Sequence, residues 1–325
     1  MKFRTEIQCS SLPTDIGYAD RVLFFGSCFA DEMCRRMQTL KFRADGNFSG
    51  PLFNPASVAD ALRRAQTPAR ISADELRQDA DGWWFSYDAS TLLSDPDPQA
   101  VLRRCNGALD RLRGGLSEAR VLFVTFGTAW VYRLRESGRV VANCHKQPQT
   151  LFDRGLLSVA QIVDEWSALL DGPLAGREVV FTVSPVRHLG DGMEGNSLSK
   201  ALLRVSVAEL VRRFDRVHYF PAFEILTDDL RDYRFYADDL CHPSPQAVDY
   251  IWERFAAAAL SAPARQLLPE VEQLVAQCHH RPRRPGSEAR RTSVLRMLDR
   301  MAELERSAGI DFSQEIALLR GETYR

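Results

Sequence analysis

No stretch of this 325-residue chain reaches the ~18 consecutive apolar residues of a membrane-crossing helix. The opening segment, MKFRTEIQCSSLPTD, lacks the apolar core of a secretory leader. Charge of one sign is missing too: 42 basic against 43 acidic side chains leave −1, so no global field draws the protein to nucleic acid or to an anionic membrane. Seven cysteines are an odd number without the spacing of a disulfide framework, so a reduced, cytoplasmic protein is expected. Histidine is scarce, at six, and three of the six follow a cysteine directly: Cys144-His145, Cys241-His242 and Cys278-His279. Neighbours on a strand point to opposite faces, and no CxxC or HxxxH spacing occurs. Neither a metal nor another cofactor is expected. No internal repeat is visible.

What remains is ordinary globular composition, 45% hydrophobic and 26% charged, in which strand-like and helix-like segments alternate. A chain of this length buries roughly 75% of its unfolded surface, enough for a deep, shaped site. Val22 to Phe25 read as a short buried strand closed by Gly26, and Phe29, Met33, Met37 and Leu40 then fall on one helical face. VLFVTF (121–126), EVVFTVSPV (178–186) and VHYFPAF (217–223) are further strands. Ser158-x-x-Gln161 is a capping box, residues 198–214 form an amphipathic helix, and Ser244-Pro245 starts another. Residues 72–95 follow neither period. The alternation predicts a three-layer α/β/α sandwich with a mainly parallel sheet over residues 1–262. A basic Pro/Arg-containing linker is expected over 263–291, and a helical C-terminal extension over 292–325 that packs back on the domain or onto a partner, a second copy included. The linker's arginines have no aromatic residues between them, so nucleic acid is not an expected partner.

Two stretches carry candidate chemistry. In RVLFFGSCFADEMCRRM (21–37), Ser27 and Cys28 sit where a strand gives way to a helix, beside partly positive N–H groups. Either is a candidate nucleophile, or the turn is merely polar. In RDYRFYADDLCHPSP (231–245), Asp239 and His242 are three apart, so one turn can present both. An aspartate beside a histidine fixes its tautomer and lets it deprotonate a nucleophile. Spacing alone leaves open whether the pair does this or only caps a helix. Both stretches follow strands, the edge where α/β folds place their sites.

GSCFA (26–30), TFGTAWVY (125–132), VVANCHKQP (140–148), TVSPVRH (182–188), LSKALL (198–203) and LRDYRFYADDLCHPS (230–244) resemble, in this order, the GSCFA domain family of bacteria. That family is similar to the SGNH/GDSL hydrolases, α/β/α enzymes with an N-terminal nucleophilic serine and a C-terminal D-x-x-H. The resemblance implies Ser27 as nucleophile, Asp239 as orienting acid and His242 as base. Cys28 would lie buried behind a pocket-facing Ser27. It implies an oxyanion hole from the N–H of Ser27 or Cys28 and that of Gly50. The asparagine that such enzymes add is replaced by Ala129, after Gly127, so Asn143, His145 and Arg187 are candidate substitutes. Gly127, Arg187 and His188 are candidate lining residues. The implied activity is hydrolysis of an acylated carbohydrate or other small ester through an acyl-enzyme. O-acyl transfer with the same triad and a catalytically poor glycan- or protein-binding module are the alternatives.

Overall fold

The computed structural model describes residues 4–280 and 287–323. Two apolar faces on one strand set the architecture. In β1 (Arg21–Gly26) every residue after Arg21 is buried, with Val22 and Phe24 in one core and Leu23 and Phe25 in the other. A strand covered on both sides needs parallel neighbours joined by crossover helices. Along the chain these are α1 (Cys28–Thr39), β2 (Arg43–Gly46), α2 (Pro55–Ala65) and a hairpin of β3 (Leu76–Gln78) and β4 (Trp84–Ser86). Next come α3 (Pro98–Glu118), β5 (Val121–Phe126), and the antiparallel β6 (Trp130–Leu134), β7 (Val140–Val141) and β8 (Phe152–Leu156). Then follow α4 (Val159–Asp171), β9 (Glu178–Val183), α5 (Gly192–Arg213), β10 (Val217–Tyr219) and α6 (Ala222–Glu224), the last running into a π-turn over Ile225–Leu230.

The central sheet is parallel throughout, in the order β10-β9-β5-β1-β2. Counted along the chain, its strands lie 2-1-3-4-5, so the order reverses between β1 and β5. Ligand crevices form at the carboxyl ends of strands at such a reversal. Helices α2, α3, α4 and α5 cover one face. The other is covered by α1 and, after the sheet, by α7 (Pro245–Ala259), α8 (Ala262–His279), α9 (Glu288–Ala308) and α10 (Ser313–Thr323). The fold is the three-layer α/β/α sandwich with a helical C-terminus.

The connector expected over 263–291 is corrected over most of its length. Ser261 caps α8 by accepting from Ala264 N–H, and the helix buries Val271, Leu274, Val275 and Cys278 against the domain. Pro269 lies inside it; proline removes one helical bond, and packing of the apolar stripe offsets that loss. Residues 281–286 of the expected linker lie outside the described residues. The extension packs back on the domain: Val294, Met297, Met301, Leu304, Phe312 and Leu319 enter the first core. Lys41 Nζ meets Glu315 at 2.7 Å, both nearly buried.

Candidate active site

The turn that ends β1 is held by backbone geometry no other residue tolerates. Gly26 has φ +124°, and a Cβ there would lie 2.0 Å from the Thr125 carbonyl oxygen. The Asn47 side chain brackets the same residue, accepting from Gly26 N–H (2.8 Å) and donating to its carbonyl (3.0 Å) and to Asp31 (2.7 Å). Ser27 follows in extended conformation as the N-cap of α1, without a side-chain capping bond. Its N–H donates to Thr125 O at 3.1 Å, continuing the ladder to β5. Among the described residues the N–H groups of Cys28 and Phe29 have no other residue as acceptor, so the positive end of this twelve-residue helix is uncommitted.

The second stretch folds into a tight hairpin. Tyr236 bridges Pro243, Ala237 N–H donates to His242 O (2.8 Å), and Leu240 adopts φ +55° at the tip. Asp239 Oδ1 accepts from Cys241 N–H (2.9 Å) and His242 N–H (3.0 Å), while Oδ2 takes the Nδ1 proton of His242 at 2.6 Å. These bonds hold the Asp239 carboxyl down at about 2, the His242 N–H first among them. With the carboxylate on Nδ1, Nε2 has no partner among the described residues. Arg187 ties the loop after β9 to this hairpin: its N–H donates to Cys241 O (3.0 Å), and its guanidinium lies 3.8 Å from the Tyr236 ring centre.

One cavity of about 660 Å³ joins the two stretches. Cys28, Asn54, Thr128, Trp130, Arg187, His188, Asp239 and His242 all line it, as does Asn143. This is the size of a small-molecule site. The expected order at the turn is reversed. Cys28 lines the cavity and is partly exposed, whereas Ser27 is 1% exposed and its Oγ meets neither solvent nor a hydrogen-bond partner.

Of the expected oxyanion donors the Cys28 N–H stays available, whereas those of Ser27 and Gly50 do not. Ser27 N–H is spent on Thr125, and Gly50 N–H donates to Asn47 O at 2.7 Å. Gly50 is a glycine because φ is +85° and a Cβ would sit 2.2 Å from Ser90 Cβ. Gly127 N–H donates to Phe53 O (2.8 Å), so its part is steric, letting the loop close on Ser27. His145 lies outside the cavity: its Nε2 donates to Ser86 O (2.9 Å) and Ala89 O (3.0 Å), and the ring stacks on Phe85. Burial lowers its pKa against the pull of those two carbonyls. Asn143 touches the cavity, but its amide is committed, the oxygen to His145 N–H (2.8 Å) and the nitrogen to Thr91 (3.4 Å). Arg187 has no carboxylate partner among the described residues; its guanidinium donates to Leu240 O (3.5 Å) and stacks on Tyr236 at the cavity wall.

One unexpected donor emerges beside the Cys28 N–H, and His188 lines the wall as expected. Asn54 caps α2 by accepting from Ser57 N–H (2.8 Å), which leaves its amide nitrogen on the cavity side without a protein partner. Asn-Pro ahead of a helix was the available signal, and it reads as a cap rather than a site. His188 Nε2 is buried and unpartnered, 3.2 Å from the position a Gly127 Cβ would take, itself 3.3 Å from Ser27 Cβ. Burial pushes its imidazole down to about 4, with the charges of Lys200 and His242 acting the same way. His188 is thus a neutral ring at pH 7. Beneath it Lys200, 2% exposed, donates to Gly127 O (2.6 Å) and Ser184 O (2.8 Å), tying the ends of β5 and β9 together. Burial pushes its ammonium down to about 7, against the pull of Asp191.

A second cavity, about 140 Å³, lies between α2 and the β6–β8 sheet, and its charges pair with one another, as in Arg63–Glu165 (2.8 Å). No group of three or more His, Cys, Asp or Glu among the described residues is arranged to hold a metal ion. The family model described as GSCFA family matches residues 21–255. No curated protein and no solved structure matches the chain.

Proposed function

We propose that this chain, which belongs to the GSCFA family, is an ester hydrolase that works through an acyl-enzyme formed on the turn between β1 and α1. The observation that carries the reading is the Asp239–His242 pair at 2.6 Å, with Nε2 free, in one cavity with the N-terminus of α1. A histidine oriented by a carboxylate has one chemical use that a helix cap does not need: it accepts a nucleophile's proton and returns it to a leaving group. The similarity of the family to SGNH/GDSL hydrolases, with their late D-x-x-H, supports the same assignment.

In this mechanism the substrate carbonyl sits over the N-terminus of α1. His242 Nε2 takes the nucleophile's proton as the new bond to carbon forms, and Asp239 stabilises the resulting imidazolium. Negative charge on the carbonyl oxygen is met by the free α1 N–H groups and the Asn54 amide. Such donors act where charge develops in the transition state. His242 then protonates the departing alcohol, and water resolves the acyl-enzyme by the same path in reverse. Phe53, Trp130, Tyr132 and Phe152 supply apolar faces in the cavity, with Gln147 and Gln149 as polar partners. That mixture suits an acylated carbohydrate or a small amphipathic ester. The test is hydrolysis of short-chain aryl esters and acetylated sugars by the parent and by His242→Ala. Turnover by the parent alone supports the reading; equal turnover by both overturns it.

A further inference from the structure

We infer that the acyl group is carried by the Cys28 thiol and not by the Ser27 hydroxyl; this rests on the acyl-enzyme reading above. Cys28 lines the cavity that holds Asp239 and His242, and it is the first residue of α1, where backbone N–H groups are uncommitted. Ser27 is 1% exposed, its Oγ is sealed off from solvent, and its N–H is fixed to Thr125. For that hydroxyl to reach a substrate, the Gly127 loop would have to move: Gly127 N–H is bonded to Phe53 O and its carbonyl to Lys200. Ser27 instead suits a packing role, since Gly127 closes on it so nearly that a Cβ at Gly127 would lie 3.3 Å from Ser27 Cβ.

Two other thiols line the cavity, Cys144 and Cys241. Cys144 lies in the loop after β7 and packs against the Phe85–Tyr87 cluster, and burial pushes its thiol up to about 11. Cys241 rides on the dyad hairpin, with its N–H on Asp239 and its carbonyl on Arg187. Neither stands at a helix N-terminus. Around Cys28, burial and the Asp31 carboxylate hold the thiol protonated, while its own N–H and Arg35 pull the other way. The thiol therefore keeps its proton until the substrate is attacked.

The step balances without a further reactant. Sγ–H gives its proton to His242 Nε2 as the Sγ–C bond forms and the carbonyl π pair moves to oxygen. Collapse breaks the C–O bond, the alcohol leaves with the proton from His242, and a thioester remains. Water then gives a proton to His242 and its oxygen to the acyl carbon. The thiolate departs, recovers that proton, and the acid is released.

The test uses the full-length protein in two arms. In the first, aryl acetate hydrolysis is measured for the parent, Cys28→Ala, Cys28→Ser and Ser27→Ala, with thermal midpoints. Cys28→Ala is expected to lose about 10³-fold or more in turnover. Ser27→Ala should stay within a few-fold of the parent, and Cys28→Ser should retain a measurable fraction if folded. In the second, iodoacetamide alkylation at pH 7 is mapped by peptide mass spectrometry. Cys28 should react faster than Cys144 and Cys241, and slow markedly in His242→Ala. An active Cys28→Ala beside an inactive, folded Ser27→Ala overturns the inference and leaves the acyl-enzyme reading standing. Ester turnover with no acceleration at Cys28 also counts against it. If the parent cleaves no ester, the acyl-enzyme reading falls and takes the inference with it.

Discussion

Replacing Asp239 with asparagine changes one atom that faces His242 and little else. The asparagine oxygen keeps the two backbone bonds that Asp239 Oδ1 accepts from Cys241 N–H (2.9 Å) and His242 N–H (3.0 Å). Its amide nitrogen then stands where Oδ2 had been, 2.6 Å from Nδ1. That group donates, so Nδ1 must accept and the imidazole proton shifts to Nε2. A ring protonated at Nε2 cannot take the nucleophile's proton. The expected loss in kcat is on the order of 10⁴-fold, the size seen when a catalytic histidine is held in the wrong tautomer. Because both side chains are about half exposed and the hairpin bonds survive, the thermal midpoint should stay within a degree or two of the parent. The assay is steady-state hydrolysis of an aryl acetate at pH 7, where the parent Asp239, held at about 2, is fully ionised. Turnover within tenfold of the parent would refute the reasoning and leave the pair as a brace of the hairpin.

Three further outcomes are expected. Asn54→Ala should lower kcat by about 10²–10³-fold with little change in KM, since an oxyanion donor bonds the transition state more than the ester; a rise in KM alone would make it a binding residue. Lys200 should tilt the stability curve: its folded pKa of about 7 lies below the ordinary 10.5, so between those values the unfolded chain holds more protons and stability rises with pH. Chemical denaturation of the parent and Lys200→Met from pH 7 to 10 should show that climb in the parent only; parallel curves would contradict it. Met301→Ala, emptying a fully buried site in α9, should cost about 2–5 kcal/mol in one cooperative transition, whereas an unchanged main transition would mean that the extension folds apart from the domain.

The parallel sheet was legible because its central strands are apolar on both faces: VLFF and VLFVTF have no other stable home. Capping chemistry was equally plain at Ser158 and Ser244, which accept from Gln161 and Ala247 N–H. Where local signals conflict, the sequence misleads. Pro269 hid α8, although Val271, Leu274, Val275 and Cys278 follow helical spacing. In α3 the Asp97-Pro98 start is a clear cap, but Gly107, Gly114 and Gly115 weaken its interior. The hairpin of β3 and β4 has three residues a strand, too few for a period to show. Within the site, Asp239 and His242 are near in sequence and their meeting could be anticipated. Which way Ser27 and Cys28 point could not, because it depends on Gly26 and on the Asn47 bracket from 21 residues away. Asn54 owes its place in the cavity to the tertiary fold alone, whereas His188, in the loop after a strand, could be anticipated there.

The most direct measurement is to mix the full-length protein with excess aryl acetate, quench in acid during turnover, and map any acetyl group by peptide mass spectrometry. The account predicts one acetyl group per chain, on the peptide of the β1–α1 turn at Cys28, built up in a burst and absent from His242→Ala. Ester turnover with no acetyl on that turn, or equal acetylation of parent and His242→Ala, would contradict it.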